Sequence, residues 1–182
     1  MSIMEINSHE LTAKMNRVAQ AMDDTSPLMA AIAGSLATVT DDNFASQGRP
    51  TWAGRKPSTI KSYQRQGLTY GGVLQRSGDL RARIVPSSDQ NSASIGSNMP
   101  YAAIHQFGGT IKHPGGTRYQ KGSRLASFTK NSFTGPTSGV TGAHDIKIEA
   151  RPYLPMDANG FLQPEAENEI FKDVDFYWKK IF

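Results

Sequence analysis

The residues best equipped for acid–base or metal chemistry are four histidines, His9, His105, His113 and His144, in a chain of 182 residues without cysteine. They stand apart, without the H-x-x-x-H spacing that brings ligands together. Structural or surface roles are expected for all four, and His105, between Ile104 and Gln106, reads as a hydrogen-bonded core residue. The lack of cysteine excludes disulfides, thiolate zinc sites, iron–sulfur clusters and cysteine nucleophiles. Lys121-Gly122-Ser123 echoes the end of a phosphate-binding loop, but no glycine stands five residues before Gly122 and no apolar strand leads in. No G-x-S-x-G elbow presents a serine, and the acids gather toward the two ends instead of forming a pair suited to hydrolysis. A hydrolase therefore ranks last, and the chemistry that remains is binding.

The charge pattern says what kind of binding. The formal net charge is +4, yet residues 1–48 carry six acids against Lys14 and Arg17, and residues 157–182 carry six acids against three lysines. Residues 49–130 carry thirteen bases against only Asp79 and Asp89. Such a split suits contact with a polyanion, or association in which the basic middle of one copy meets the acidic ends of the next. Trp52, Tyr63, Tyr70, Tyr101 and Tyr119 lie among the bases, which makes a non-sequence-specific nucleic-acid-binding module the alternative reading.

These residues need elements to position them. At 19.8 kDa the chain fits one domain, and a mean hydropathy of -0.47 excludes a membrane-embedded one. The start, MSIMEINSHE, carries acids where a secretory signal carries bases and an apolar run, so the product is expected to act where it is made, in the cytoplasm. Leu11, Met15, Val18 and Met22 predict an amphipathic helix capped by Asn7 or Ser8; Pro27 opens a second, with Leu28, Ile32, Leu36 and Val39 on one face. Pro57 to Gln66 predicts a short helix ended by Gly67. Leu80 to Val85 and Ser92 to Ser97 alternate as an antiparallel strand pair, with Pro86 cutting off the first. Tyr101, Ile104, His105 and Phe107 predict a helical turn or two, His144 to Ala150 a third strand, and 164–181 a final amphipathic helix. The fold class is α+β: N-terminal helices, a small antiparallel sheet of three or more strands, and a C-terminal helix.

Residues 108–143 interrupt this plan. Eight Gly, ten Ser or Thr and two Pro fill 20 of their 36 positions, and all five charges are basic: Lys112, Arg118, Lys121, Arg124 and Lys130. This predicts an arm inserted into a single domain spanning 1–182, either a projecting β-structure with a strand pair within 123–133 or a loop that orders on contact.

The blocks LQRSGDLRARI, ASIGSNMPYAAIHQFGGTI and AHDIKIEARPYLPMD, with a variable glycine-rich insert and an amphipathic C-terminal helix, resemble the virion morphogenesis (tail completion) family of Mu-like tailed bacteriophages. The likeness covers 70–182, and the front half more loosely through G-R-P-T-W and P-S-T-I-K. Where the family pattern is close to I-P-A-R-P-F-L-G, this chain has Glu149, Tyr153 and Pro155 in place of the first proline, the phenylalanine and the glycine.

The resemblance implies a structural virion protein of the neck or tail terminus, forming a hexameric ring that completes the tail and supports head–tail joining. It implies no reaction and no cofactor. The implied partners are copies of itself, tail-tube, sheath or head-connector proteins, and genomic DNA contacted without sequence preference, with no membrane. Arg76, Arg81, Arg83, Lys112, Arg118, Lys121, Arg124 and Lys130 are the candidate bases for DNA or subunit contact. Tyr101, Ile104, His105, Phe107, Arg151, Tyr153 and Leu154 are the candidate packing or interface residues. Tyr101, Ile104 and Phe107 are expected on one apolar face, and Arg151 is suited to a bidentate pair with a carboxylate.

Overall fold

A computed structural model describes residues 8–69, 71–116, 118–120, 127–128, 138–157 and 159–181 as an α+β fold with helices at both ends. Two helices lead, α1 (Ser8–Asp23) and α2 (Ser26–Ala45), with Pro27 in the first turn of α2 and the Ser26 amide bonded to Asp24 Oδ1 at 3.0 Å. The chain continues through α3 (Pro57–Arg65), α4 (Asp79–Ala82), β1 (Ile84–Ser88), β2 (Ala93–Ser97) and α5 (Ala102–Phe107). After them come β3 (Gly109–His113), β4 (Arg118–Gln120), β5 (Ser127–Phe128), β6 (Ser138–Val140), β7 (His144–Ile148) and α6 (Pro164–Ile181).

Helix α2 is the axis of the molecule. It buries Leu28, Ala33, Leu36, Val39 and Phe44 because α6 covers one side and the β1–β2 hairpin another. Its middle packs Leu36 and Val39 against Ala166 of α6, with Ile32, Ile95 and Ile170 around them. Its C-terminal end joins a second cluster of Phe44, Trp52, Leu80, Ala102 and Tyr153. There the Phe44 ring meets Trp52 edge-on at 5.7 Å and lies 5.5 Å from Tyr153. Burying rings of this size contributes about 1.5–3 kcal/mol each. The turn after α2 brings Trp52 in: Gly48 has φ +99 and sits so close against the Trp52 indole that a β-carbon has no room.

Polar side chains lock the two clusters together. Asn43 donates to Tyr153 O at 3.2 Å and to Gln163 Oε1 at 2.9 Å, while its own oxygen accepts from Arg49 Nε at 2.9 Å. Gln106, 1% exposed, accepts from the Tyr153 and Leu154 amides at 2.9 and 3.0 Å and donates to Met156 O at 3.1 Å. Buried amides satisfied this fully fix one arrangement of the 151–156 corner.

Several expectations are corrected. The β1–β2 pair is antiparallel as predicted, but β1 starts at Ile84 and runs through Pro86, which faces Ile95. A two-stranded sheet leaves each strand one free edge, so proline's missing N–H costs no ladder bond. Leu80 instead lies on the helical turn α4, opened by Gly78 at φ +82, and is 2% exposed in the core. In α5 the buried residues are Ala102 and Gln106; Tyr101 and Ile104 are half-buried and Phe107 is 53% exposed, so the expected apolar face does not form.

In place of a single sheet of three or more strands, the described residues form three small ones: β1–β2, β3–β7 and β5–β4–β6. The β3–β7 ladder pairs Lys112 with Asp145 and His113 with His144, and β4–β6 continues it, pairing Arg118 with Val140. A bond from Gly116 N to Thr141 O at 2.9 Å joins the ladders. The two ladders thus form an antiparallel ribbon in which the described residues of 109–120 run against 138–148. Of the strand pair expected within 123–133, Ser127–Phe128 is a strand, and its partner is β4.

Candidate functional site

The 53–56 segment, α3, the 71–79 segment, α5 and β7 surround a cleft of about 910 Å³ whose rim is basic. Arg55, just before α3, donates through Nη1 to Gly71 O at 2.9 Å and through Nη2 to Gly72 O. Its guanidinium also lies 5.6 Å from the centre of the Tyr63 ring, and that of Arg76 lies 5.4 Å from the same ring. Lys56 reaches across to Lys147 O of β7 at 3.2 Å. Arg151 donates to Ala53 O and Gly54 O at 2.9 and 3.0 Å, so the carboxylate partner expected from sequence is replaced by two carbonyls. Carbonyls and rings are neutral partners, so these particular contacts position the basic groups at the cleft without themselves supplying a counter-charge. Asp79 and Glu149 are the acids at the same cleft, which also has Val73, Leu74, Tyr101, Ile146 and Ile148 on its walls.

His105 lines this cleft with its ring edge-on to Tyr101 at 5.8 Å. Its Nδ1 is buried without a hydrogen-bond partner among the described residues, so the expected hydrogen-bonded imidazole is instead held by packing. Burial, then the charge of Arg151, pushes it below its ordinary pKa, which favours the neutral ring. Among the described residues no three His, Asp or Glu side chains converge to hold a metal ion. With a basic rim and an apolar wall, the cleft is suited to an anionic, partly apolar group.

The candidate bases do not share one place. Arg76 is at the cleft. Arg81 forms a two-pronged bond to Asp41, Nε to Oδ1 at 2.5 Å and Nη2 to Oδ2 at 2.6 Å, which holds the Asp41 carboxyl below the usual carboxylate range. Arg83 and Lys112 are exposed elsewhere, on the residue after α4 and on β3. Arg118 is placed by its backbone on β4, while Lys121, Arg124 and Lys130 lie outside the described residues. Of the candidate packing residues, Tyr101, His105 and Arg151 meet at the cleft, Tyr153 is core at 1% exposure, and Leu154 packs beside it. Trp52, counted among aromatics available to stack bases, is buried and donates its indole N–H to Pro152 O at 2.8 Å. Sequence reasoning did not single out Arg55, Lys56 and Lys147; the P-S-T-I-K element beside the first two was the available signal.

A second surface lies at the other pole. Helix α1 has no buried residue, and Leu11, Met15 and Met22 are 56%, 63% and 66% exposed. It is tied to α6 by Tyr177, whose hydroxyl donates to Ala21 O at 3.0 Å. On α6 itself Phe171 and Phe176 are 70% and 71% exposed. Among the described residues no helix is long and apolar enough to cross a membrane.

Residues 6–177 match the phage virion morphogenesis family. The Mu-like prophage FluMu G protein 2 of Haemophilus influenzae is 30% identical over 173 residues, covering 95% of this chain and 92% of that protein. A protein of Escherichia phage Mu with a provisional name, capsid assembly protein G, is 36% identical over 83 residues, covering 43% of this chain and 53% of its own length. No solved structure matches.

Proposed function

Because this chain belongs to the phage virion morphogenesis family, we propose that it is a structural protein of the neck or tail terminus that forms a ring of identical subunits, six in number, to complete the tail and support head–tail joining. The observation that carries this reading is the family match along nearly the whole chain. Its surface supports the reading: a small fold exposes five large apolar side chains on two adjoining helices and concentrates opposite charges at separate places, the pattern of a subunit awaiting neighbours. The capsid-assembly name of the phage Mu relative fits the same kind of role.

The bases of the β-ribbon add a contact with the passing genome, made to phosphates and blind to sequence. A free nucleic-acid-binding module is the weaker reading, since Trp52 is in the core and Arg81 is matched to Asp41.

The role is tested by electron microscopy of lysates from a phage in which this reading frame is interrupted. The expected result is heads and tails that accumulate unjoined and are rescued when the native chain is supplied. Normal yields of joined particles would remove the neck and tail-terminus assignment.

A further inference from the structure

The cleft and the exposed face of α6 are opposite in character and belong to different elements. Helix α2 separates them: its C-terminal Phe44 belongs to the core beneath the cleft, whereas Leu36 and Val39 pack on Ala166, and Tyr177 reaches back to Ala21 and Asp24 before α2 begins. Helix α6 therefore runs antiparallel to α2 and away from the cleft, along an axis of 20 residues, about 30 Å at 1.5 Å per residue. Within one copy α6 packs mainly on α2 and α1, and none of its residues lines the cleft.

On α6, Glu167, Phe171 and Asp175 recur at a spacing of four and are all exposed, so an acid, an aromatic ring and an acid form one stripe, with Phe176 beside it. Lys179, the next position of the series, is bonded to Asp175 Oδ2 at 2.6 Å in the single copy, an exposed pair that a docked base would compete with. The cleft offers the complement. Arg76 and Lys147 are exposed at its rim, Lys56 is beside them, and Leu74 and Ile146 supply apolar wall. Resting on the ring reading above, we infer that the Glu167–Phe171–Asp175 stripe of one copy docks in the basic cleft of the next, a head-to-tail contact that closes into a ring. Phe171 enters the cleft and the flanking carboxylates meet the rim bases. The occupant is a second copy of this chain, because the chain itself carries the matching acidic–aromatic stripe, on exposed positions of α6 away from the side that packs on α2.

Two variants and their mixture test this. Arg76→Glu/Lys147→Glu spoils the cleft and leaves the stripe; Phe171→Lys/Asp175→Lys spoils the stripe and leaves the cleft. All four positions except Phe171 carry exposed charges, and Phe171 is itself exposed, so both variants should retain the native circular dichroism and melting profile. In sedimentation velocity each variant alone is expected to be monomeric at concentrations where the native chain assembles. An equal mixture should form one-to-one dimers and nothing larger, since only one cleft and one stripe remain intact. Variants that assemble like the native chain, or a mixture that stays monomeric, would overturn the docking while leaving the ring reading in place. Loss of duplex DNA binding with assembly intact would reassign the cleft to phosphate contact. A native chain that is monomeric at every concentration would remove the ring reading, and the docking with it.

Discussion

Replacing Tyr153 by Ala should lower the melting temperature by about 10 °C or more, the equivalent of about 4 kcal/mol in a chain of this size. Tyr153 is 1% exposed, and its ring lies 5.5 Å from Phe44 in the cluster that also holds Trp52, Leu80 and Ala102. Four helices and loops meet there, so collapse around the vacated volume is limited. Tyr153→Phe keeps the ring and is expected to cost less than about 1 kcal/mol, in line with the phenylalanine of the family pattern. Thermal unfolding followed by circular dichroism separates the two. An alanine variant that melts within a degree or two of the native chain would show that the corner is not part of the cooperative core.

Gln106→Leu should be nearly as damaging for a different reason. The leucine fills a similar volume but withdraws the acceptor for the Tyr153 and Leu154 amides and the donor for Met156 O. Buried groups left unpaired cost about 1–3 kcal/mol each, and the apolar gain offsets only part of that, for a net loss of about 3 kcal/mol. Combining Gln106→Leu with Tyr153→Ala should be less than additive, because both act on the 151–156 corner. Chemical denaturation of the two single variants and the double variant measures this coupling. Fully additive losses would mean that Gln106 and Tyr153 stabilise separate parts of the fold.

The sequence made some of this legible and hid the rest for physical reasons. The helical repeats of α1, α2 and α6 identified those helices, and Ile146 and Ile148 between charged neighbours identified β7. Periodicity does not say what covers a face, however, and the apolar stripe of α1 is exposed in this fold. Pro86 looked like the end of a strand because a central strand cannot hold it, whereas the strand it occupies has a free edge. β3 was hidden in a segment whose glycines signal a loop; Gly108, at φ +70, turns the chain where a β-carbon would come within 2.7 Å of Ala150 N, directly before the first β3–β7 pair. The burial of Gln106 had no signal at all, since only tertiary structure supplies its three partners. The cleft was half visible: the basic excess of 49–130 was plain, but which bases converge depends on Arg151 and Lys56 bridging segments more than 90 residues apart.

A consequence for assembly is that the core corner and the proposed docking cleft are mechanically one unit. Arg151, on the edge of the corner, holds Ala53 and Gly54, and the next residue along, Arg55, holds the 71–72 segment that carries the chain toward Arg76. Loosening the corner should therefore weaken association before it unfolds the protein.

Native mass spectrometry of the purified chain, over a range of protein and salt concentrations, reaches the central claim most directly. Subunits that meet head to tail and close should give monomer and one closed species of six copies of 19.8 kDa, with little between them and with the closed species receding as salt rises. A single 19.8 kDa species under every condition would contradict it.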